Sequence, residues 1–231
     1  MPNMAEPTSL GVGERMSLML LGATMGAFGA MIALPWYLPG LTASLGEPNP
    51  KVYWYLARAS GFAAYLLLWL AVVLGLLVSS KLSRAWPGGP TAVDLHQFLS
   101  LLSLGAILFH ALILLGDRHL GYAPLHVFVP FASHPYRPLW VGLGQVGLYL
   151  AAIVAFSFYV RRYLGARTWR LLHYGSFAVY FLITAHALGA GTDTSAPAAI
   201  ALYSLSGLSI YFLMVYRLLT STRPAPVRQM R

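Results

Sequence analysis

The stretch LHQFLSLLSLGAILFHALILL, Leu95 to Leu115, carries no Asp, Glu, Lys or Arg, yet it holds two histidines, His96 and His110, fourteen residues apart. About 20 helical residues cross the roughly 30 Å of bilayer hydrocarbon, so this stretch reads as a membrane helix. An imidazole inside such a helix is expensive to place there. It either hydrogen-bonds a neighbouring helix or belongs to a site.

The rest of the chain agrees with lipid as its solvent. Of the 231 residues 58% are hydrophobic and only 9% charged, and the mean hydropathy is +0.67, which is far from the composition of a soluble domain. The formal charge of +9 is not accompanied by a cluster of basic and aromatic residues, so no nucleic-acid partner is expected and the bilayer explains the charge. The absence of cysteine excludes disulfides, iron–sulfur clusters and thiolate ligands to zinc or haem. The opening MPNMAEPTSLGVGER has two acids and no early basic cluster, so the apolar run behind it is expected to be a retained helix rather than a cleaved leader.

Apolar runs of membrane length fall near 15 to 37, 53 to 79, 92 to 116, 139 to 162, 168 to 190 and 197 to 219. They predict an all-α integral membrane protein, a six-transmembrane-helix bundle over 15–219, with a cytoplasmic tail over 1–14 and a basic cytoplasmic tail over 220–231. Turns such as Pro39 to Lys51 and Ser83 to Pro90 separate the spans, and Asp117 to Pro138 is a long loop. Arg15, Lys81, Arg84, Arg161, Arg162, Arg167, Arg170, Arg217, Arg223, Arg228 and Arg231 fall on one side, against Lys51, Arg58, Arg118 and Arg137 on the other. The positive-inside bias then puts both termini in the cytoplasm of what is expected to be a bacterial cytoplasmic membrane. In that arrangement the third and fifth spans run parallel. Trp36, Tyr37, Trp54, Trp86, Trp140 and Trp169 sit near span ends, as interfacial aromatics do.

Two small patterns are expected to carry no chemistry. GLGQVG, Gly142 to Gly147, has the letters of a dinucleotide-binding turn but opens an apolar span with no βαβ unit around it. Gly22, Gly26, Gly29 and Ala30 give the first span a small-residue face suited to close packing.

The fifth span also carries two histidines, His173 and His186, thirteen apart. At 1.5 Å per residue these spacings rise about 21 and 19.5 Å, so parallel helices would match His96 with His173 at an inner level and His110 with His186 at an outer one. Two facing neutral nitrogens per level are what the axial positions of a haem iron require. Zinc, which takes three or four ligands, would be left incomplete. The first pair is offset by about 40° around its helix and the second by about 140°. For His173 and His186 to share a target, the fifth span is expected to be tilted, kinked or π-bulged near Gly175.

The paired spacings, the W-R-x-L-H run from Trp169 to His173 and the H-A-L-x-A-G-T-D close from His186 to Asp193 resemble the ferric reductase-like transmembrane domain. That family includes the membrane portions of ferric reductases and NADPH oxidases and the haem-binding membrane subunit of a bacterial methionine sulfoxide reductase system. The resemblance covers roughly the second to sixth spans. It implies two stacked b haems between the third and fifth spans, the inner held by His96 and His173 and the outer by His110 and His186. Only Thr220 to Arg231 follows the last span here, so no flavin and nicotinamide module is expected and the chain should not oxidise NADPH alone. Leu114 stands where NADPH oxidases tend to have a further histidine near the oxygen site, which argues against superoxide production.

Arg58 lies about one turn into the second span; the resembling family has an arginine in this region, so contact with a haem propionate is expected over simple snorkelling. Arg170 shares roughly the helical face of His173 and is a second propionate candidate; with Arg167, it also serves as a topological anchor. Asp94 suits the start of the third span, near the positive helix end. The loop histidines His119, His126 and His134 fit no metal motif, and the loop itself is expected to cap the outer haem or receive a partner.

The function expected on these grounds is transmembrane electron transfer from a cytoplasmic-side or membrane donor, a quinol or a separate flavoprotein, to an external acceptor. In that role the chain would be a cytochrome b subunit of an oxidoreductase. The alternative is a haem-bearing structural subunit anchoring a larger membrane redox complex. A transporter would be expected to show inverted repeats or charges inside the bundle, and no internal repeat is evident from the sequence.

Overall fold

The structure, a computed structural model, describes residues 51–117, 120–132 and 136–221. The first predicted span, its glycine face, the N-terminal tail, residues 222–231 of the C-terminal tail, Arg118, His119 and His134 lie outside these residues. Everything described is helix, turn or short connection, with no strand among the described residues.

Helix α1, Val52–Ser79, is 28 residues long with Arg58 as its one charged side chain. Its Leu, Ala and Val content favours helix on all faces, and its length exceeds what hydrocarbon requires. A left-handed Lys81 (φ 63°) ends the run and a short 3-10 turn, Leu82–Arg84, follows. Helix α2, Gly89–Ile113, starts with Pro90 in its first turn, where the missing N–H costs nothing. A five-residue helix α3, Pro124–Phe128, lies in the loop. Helix α4 runs Pro138–Ala190, and α5 runs Pro197–Ser221.

At 53 residues α4 would be about 80 Å long if straight, far more than a bilayer. It is not straight. Gly165 has φ 77° and ψ 158° inside it, a region open essentially to glycine alone. The chain doubles back there: Gly175 lies against Val154, Gly147 against Ile183 and Gly144 against His186, and the Tyr136 hydroxyl donates to the Ala190 carbonyl at 2.7 Å. These pairings define two antiparallel arms, 138–164 and 166–190. The polar turn expected between the fourth and fifth spans is thus one glycine.

Four helices, α1, α2, α4 and α5, are long and apolar enough to cross a membrane. Their outward faces are apolar, as at Leu205, Leu208 and Phe212, which is what contact with lipid requires. Inside, Tyr65, Leu68, Val72, Leu76, Ile107, Val179 and Ile183 belong to one buried cluster. In sequence most of them fall between the two histidines, or their docking points, on each helix. An apolar layer therefore separates the two levels.

A second feature of that layer is a hydroxyl cluster. Tyr65, 2% exposed, meets the Ser206 hydroxyl at 2.7 Å and the Tyr180 and Thr184 hydroxyls at 3.3 Å. Tyr180 also donates to Ser206 at 3.1 Å. Buried hydroxyls need such partners.

Candidate functional site

The four histidines meet in the two pairs that parallel helices demand. The rings of His96 and His173 have centroids 6.0 Å apart and planes at 80°; those of His110 and His186 lie 6.1 Å apart at 72°. The second arm of α4 is an uninterrupted helix from 166 to 190, without the π-bulge expected near Gly175. The rings instead leave the arm in different directions, His186 toward the first arm and His173 over its own preceding turn.

What fixes the rings is backbone. His96 Nδ1 lies 2.8 Å from the Ala71 carbonyl, His110 Nδ1 2.7 Å from that of Ala57, and His186 Nδ1 2.9 Å from that of Trp140. A carbonyl can only accept, so in each ring Nδ1 carries the proton and Nε2 is left with its lone pair. Each locked ring also fits against a glycine. A Cβ on Gly75 would sit 3.1 Å from His96, on Gly61 3.1 Å from His110, and on Gly144 2.6 Å from His186. The register on α1 repeats: Ala57 to Ala71, Gly61 to Gly75 and, on α2, His96 to His110 are all intervals of fourteen. A carbonyl with a glycine four residues on makes one docking slot, used twice on an antiparallel neighbour. That spacing, ARASG over Ala57 to Gly61 and AVVLG over Ala71 to Gly75, is legible only once its histidine counterpart is known. Gly144, in the GLGQVG run, has a packing role as its setting in an apolar span suggested.

His173 is held differently. Its ring stacks on Trp169 at 5.2 Å and 24°, and no described group hydrogen-bonds it. The Trp169 indole Nε1 is itself buried without an acceptor.

Each pair lines a cavity. The first, about 520 Å³, is bordered by His96, His173, Trp169, Arg161, Arg170 and Arg217. The second, about 200 Å³, is bordered by His110, His186, Arg58, Asp193, His126 and Tyr122. Arg58 does reach the second cavity, but its guanidinium is engaged bidentately by Asp193, with Nε 2.5 Å from one carboxylate oxygen and Nη2 on the other. Asp193 was visible in the sequence only as the end of a motif; as a partner 135 residues from Arg58 it carried no local signal. Arg170 lies at the first cavity, as its helical face implied.

The loop covers the second cavity with Tyr122, His126 and Val127. Buried Gln145 clamps it, donating to the carbonyls of His126 at 2.7 Å and Val127 at 2.9 Å and accepting from the Phe131 N–H at 3.1 Å. His126 Nδ1 accepts the Ala123 N–H at 3.1 Å, so its proton sits on Nε2, the opposite tautomer from the locked rings. Among the described residues no three His, Cys, Asp or Glu side chains converge. Each level is a set of two imidazoles.

Such a set fits the axial positions of a haem iron. Two metal–imidazole bonds of about 2 Å, plus the reach from Nε2 to ring centre on both sides, come to about 6 Å. The two ring separations and the Nε2 lone pairs of His96, His110 and His186 are compatible with that requirement, and each pair adjoins a cavity.

The all-helical fold and the apolar helices define an integral membrane protein. No family model matches the chain, and no solved structure matches it. Two curated proteins are similar to it: the Na(+)/H(+) antiporter NhaA of Geobacter sulfurreducens, 32% identical over 126 residues, covering 51% of this chain and 31% of that protein, and the NhaA of Geobacter metallireducens, 32% identical over 125 residues with the same coverage. The match thus spans under a third of the length of these relatives.

This similarity corrects the expected function. The matched proteins are named as cation antiporters, so neither transmembrane electron transfer nor its alternative, a redox-complex anchor, stands, and the oxidoreductase label goes with them. The structure also supplies one feature expected of a transporter, a charge pair, Arg58 with Asp193, that lines a cavity in the bundle.

Proposed function

We propose that the chain is a haem-binding membrane protein of six spans, with one b-type haem clasped at each imidazole level. The first level would lie toward the cytoplasm and both termini inside, on the charge asymmetry. The observation that carries this reading is the facing of four imidazoles in two pairs at 6.0 and 6.1 Å, three of them with Nδ1 bound to a backbone carbonyl. A hydrogen bond from the far ring nitrogen to a carbonyl orients a metal-binding histidine and raises its basicity. His96 and His173 would hold one group and His110 and His186 the other, with Arg170 near the first cavity and Arg58 near the second as carboxylate partners. When bound, the group would supply an iron held by the imidazole nitrogens of these pairs. Membership in the ferric reductase-like transmembrane family is proposed on the same residues, for fold and ligation only. The test is the haem content of the purified chain, folded with haem supplied: about two per chain supports the reading and a reproducible value near zero refutes it.

A second reading, movement of cations across the membrane, is favoured by the likeness to the Na(+)/H(+) antiporters over half of the chain. In it the Arg58–Asp193 pair and the second cavity are the charged elements a cation would meet. Reconstituted vesicles loaded with a pH-sensitive dye test it. A sodium-driven change in internal pH that Asp193→Asn abolishes would establish transport, and an unchanged signal against empty vesicles would exclude it.

A further inference from the structure

We propose that the first level can open: His173 is an exchangeable ligand, and the first level, but not the second, admits a small exogenous ligand such as carbon monoxide or imidazole at the iron. The proposal rests on the haem reading above. Three rings, His96, His110 and His186, are each held by a carbonyl on the Nδ1 side and a glycine against the ring face. His173 has neither. It rests on the Trp169 indole, a contact that allows the ring to slide or rotate without breaking a hydrogen bond. Losing the hydrogen-bond partner of its far ring nitrogen typically costs a metal-bound histidine about 10–100-fold in affinity, so His173 should release its iron that much more readily than the others. The surroundings also have room for what would replace it. The cavity here is about 520 Å³, against about 200 Å³ at the other level. Next to the His173 ring is a buried indole N–H with no acceptor among the described residues, a donor available to an incoming polar ligand.

The experiment uses the full chain purified with haem and chemically reduced. Haem content is measured first, so that the two readings fail separately: a value near zero overturns the haem reading and this proposal together, whereas the rest applies at a value near two. Carbon monoxide titration should then convert about half of the haem. His96→Ala should abolish that fraction. His173→Ala should keep haem near two per chain, bind carbon monoxide at least tenfold more tightly, and return to a six-coordinate spectrum when imidazole is added. Binding by neither haem of the native protein, or equally by both, overturns the proposal without recourse to any variant. So does loss of haem in His173→Ala as complete as in His96→Ala.

Discussion

At the second level both imidazoles are gripped from two sides, His110 by the Ala57 carbonyl and Gly61 and His186 by the Trp140 carbonyl and Gly144. At the first level only His96 is, by Ala71 and Gly75. The same residue type, at the same ring separation, is therefore rigid three times and loose once. Rigidity in this bundle comes from backbone rather than from side-chain polarity. A carbonyl of a neighbouring helix is free to accept a second hydrogen bond because carbonyl oxygen has two lone pairs, and the ring reaches it only where a glycine lets the helix surface come close. Two helices that carry no site histidine, α1 and the first arm of α4, are thus as much a part of the site as the helices that do.

The largest expected effect tests the grip at the second level. Gly144→Val would drive a branched side chain into His186, since even a Cβ there falls 2.6 Å from Nδ1. Haem content should drop from about two to about one per chain, with the first-level spectrum kept. Loss of both haems would mean that the levels are not independent. Gly165→Ala comes next. A non-glycine residue at φ 77°, ψ 158° costs of order 1–3 kcal/mol, and because Gly165 sets the return of the second arm the cost should fall on both levels together. Thermal unfolding in detergent, followed at each haem band, checks this; a shift confined to one level would show that the arms dock independently. Tyr65→Phe is smaller. It removes one hydroxyl from the cluster between the levels while Ser206 keeps Tyr180 and the Tyr203 carbonyl, so about 1 kcal/mol of stability should go, with both spectra unchanged. A spectral change would make the cluster part of the site.

Much of this arrangement is written locally in the chain and some of it is not. Membrane helices follow from apolar run length, and the two levels follow from intervals of fourteen and thirteen on parallel helices. The docking slots do not, because their working atom is a carbonyl that every residue has. Only the glycines mark them, and in a chain with 22 glycines nothing local sets Gly61, Gly75 and Gly144 apart from the rest. The offset of about 140° between His173 and His186 points on the sequence to a tilt, a kink or a π-bulge, yet a ring can reach its partner from either side of a helix when its supports differ, as those of the two rings do. Gly165 was hidden in a short polar stretch, where a full turn was the natural expectation. The Arg58–Asp193 pair joins positions too far apart in sequence for any local pattern to couple them.

That pair gives the smallest and most specific contrast between the levels, since it lies at the second cavity and has no counterpart among the described residues at the first. Asp193→Asn keeps the side-chain shape but removes the charge, and turns an amide donor toward a guanidinium that can only donate. The two side chains are 37% and 27% exposed, so solvent screens them and the loss should be no more than about 1 kcal/mol, typical of accessible ion pairs. Thermal unfolding at low salt should show a drop of that size. At about 1 M salt, where the screening length falls to about 3 Å, native and variant proteins should draw together, because the native pair is weakened while the variant has little left to lose. Haem at the first level should be untouched, and any fall in haem should come from the second. A gap that persists in high salt would mean that the geometry of Asp193 matters more than its charge, with the bidentate hydrogen bonds shaping the cavity mouth. A fall at the first level instead would show that the turn before α5 supports the whole bundle, and the division into a rigid level and a loose one would have to include it.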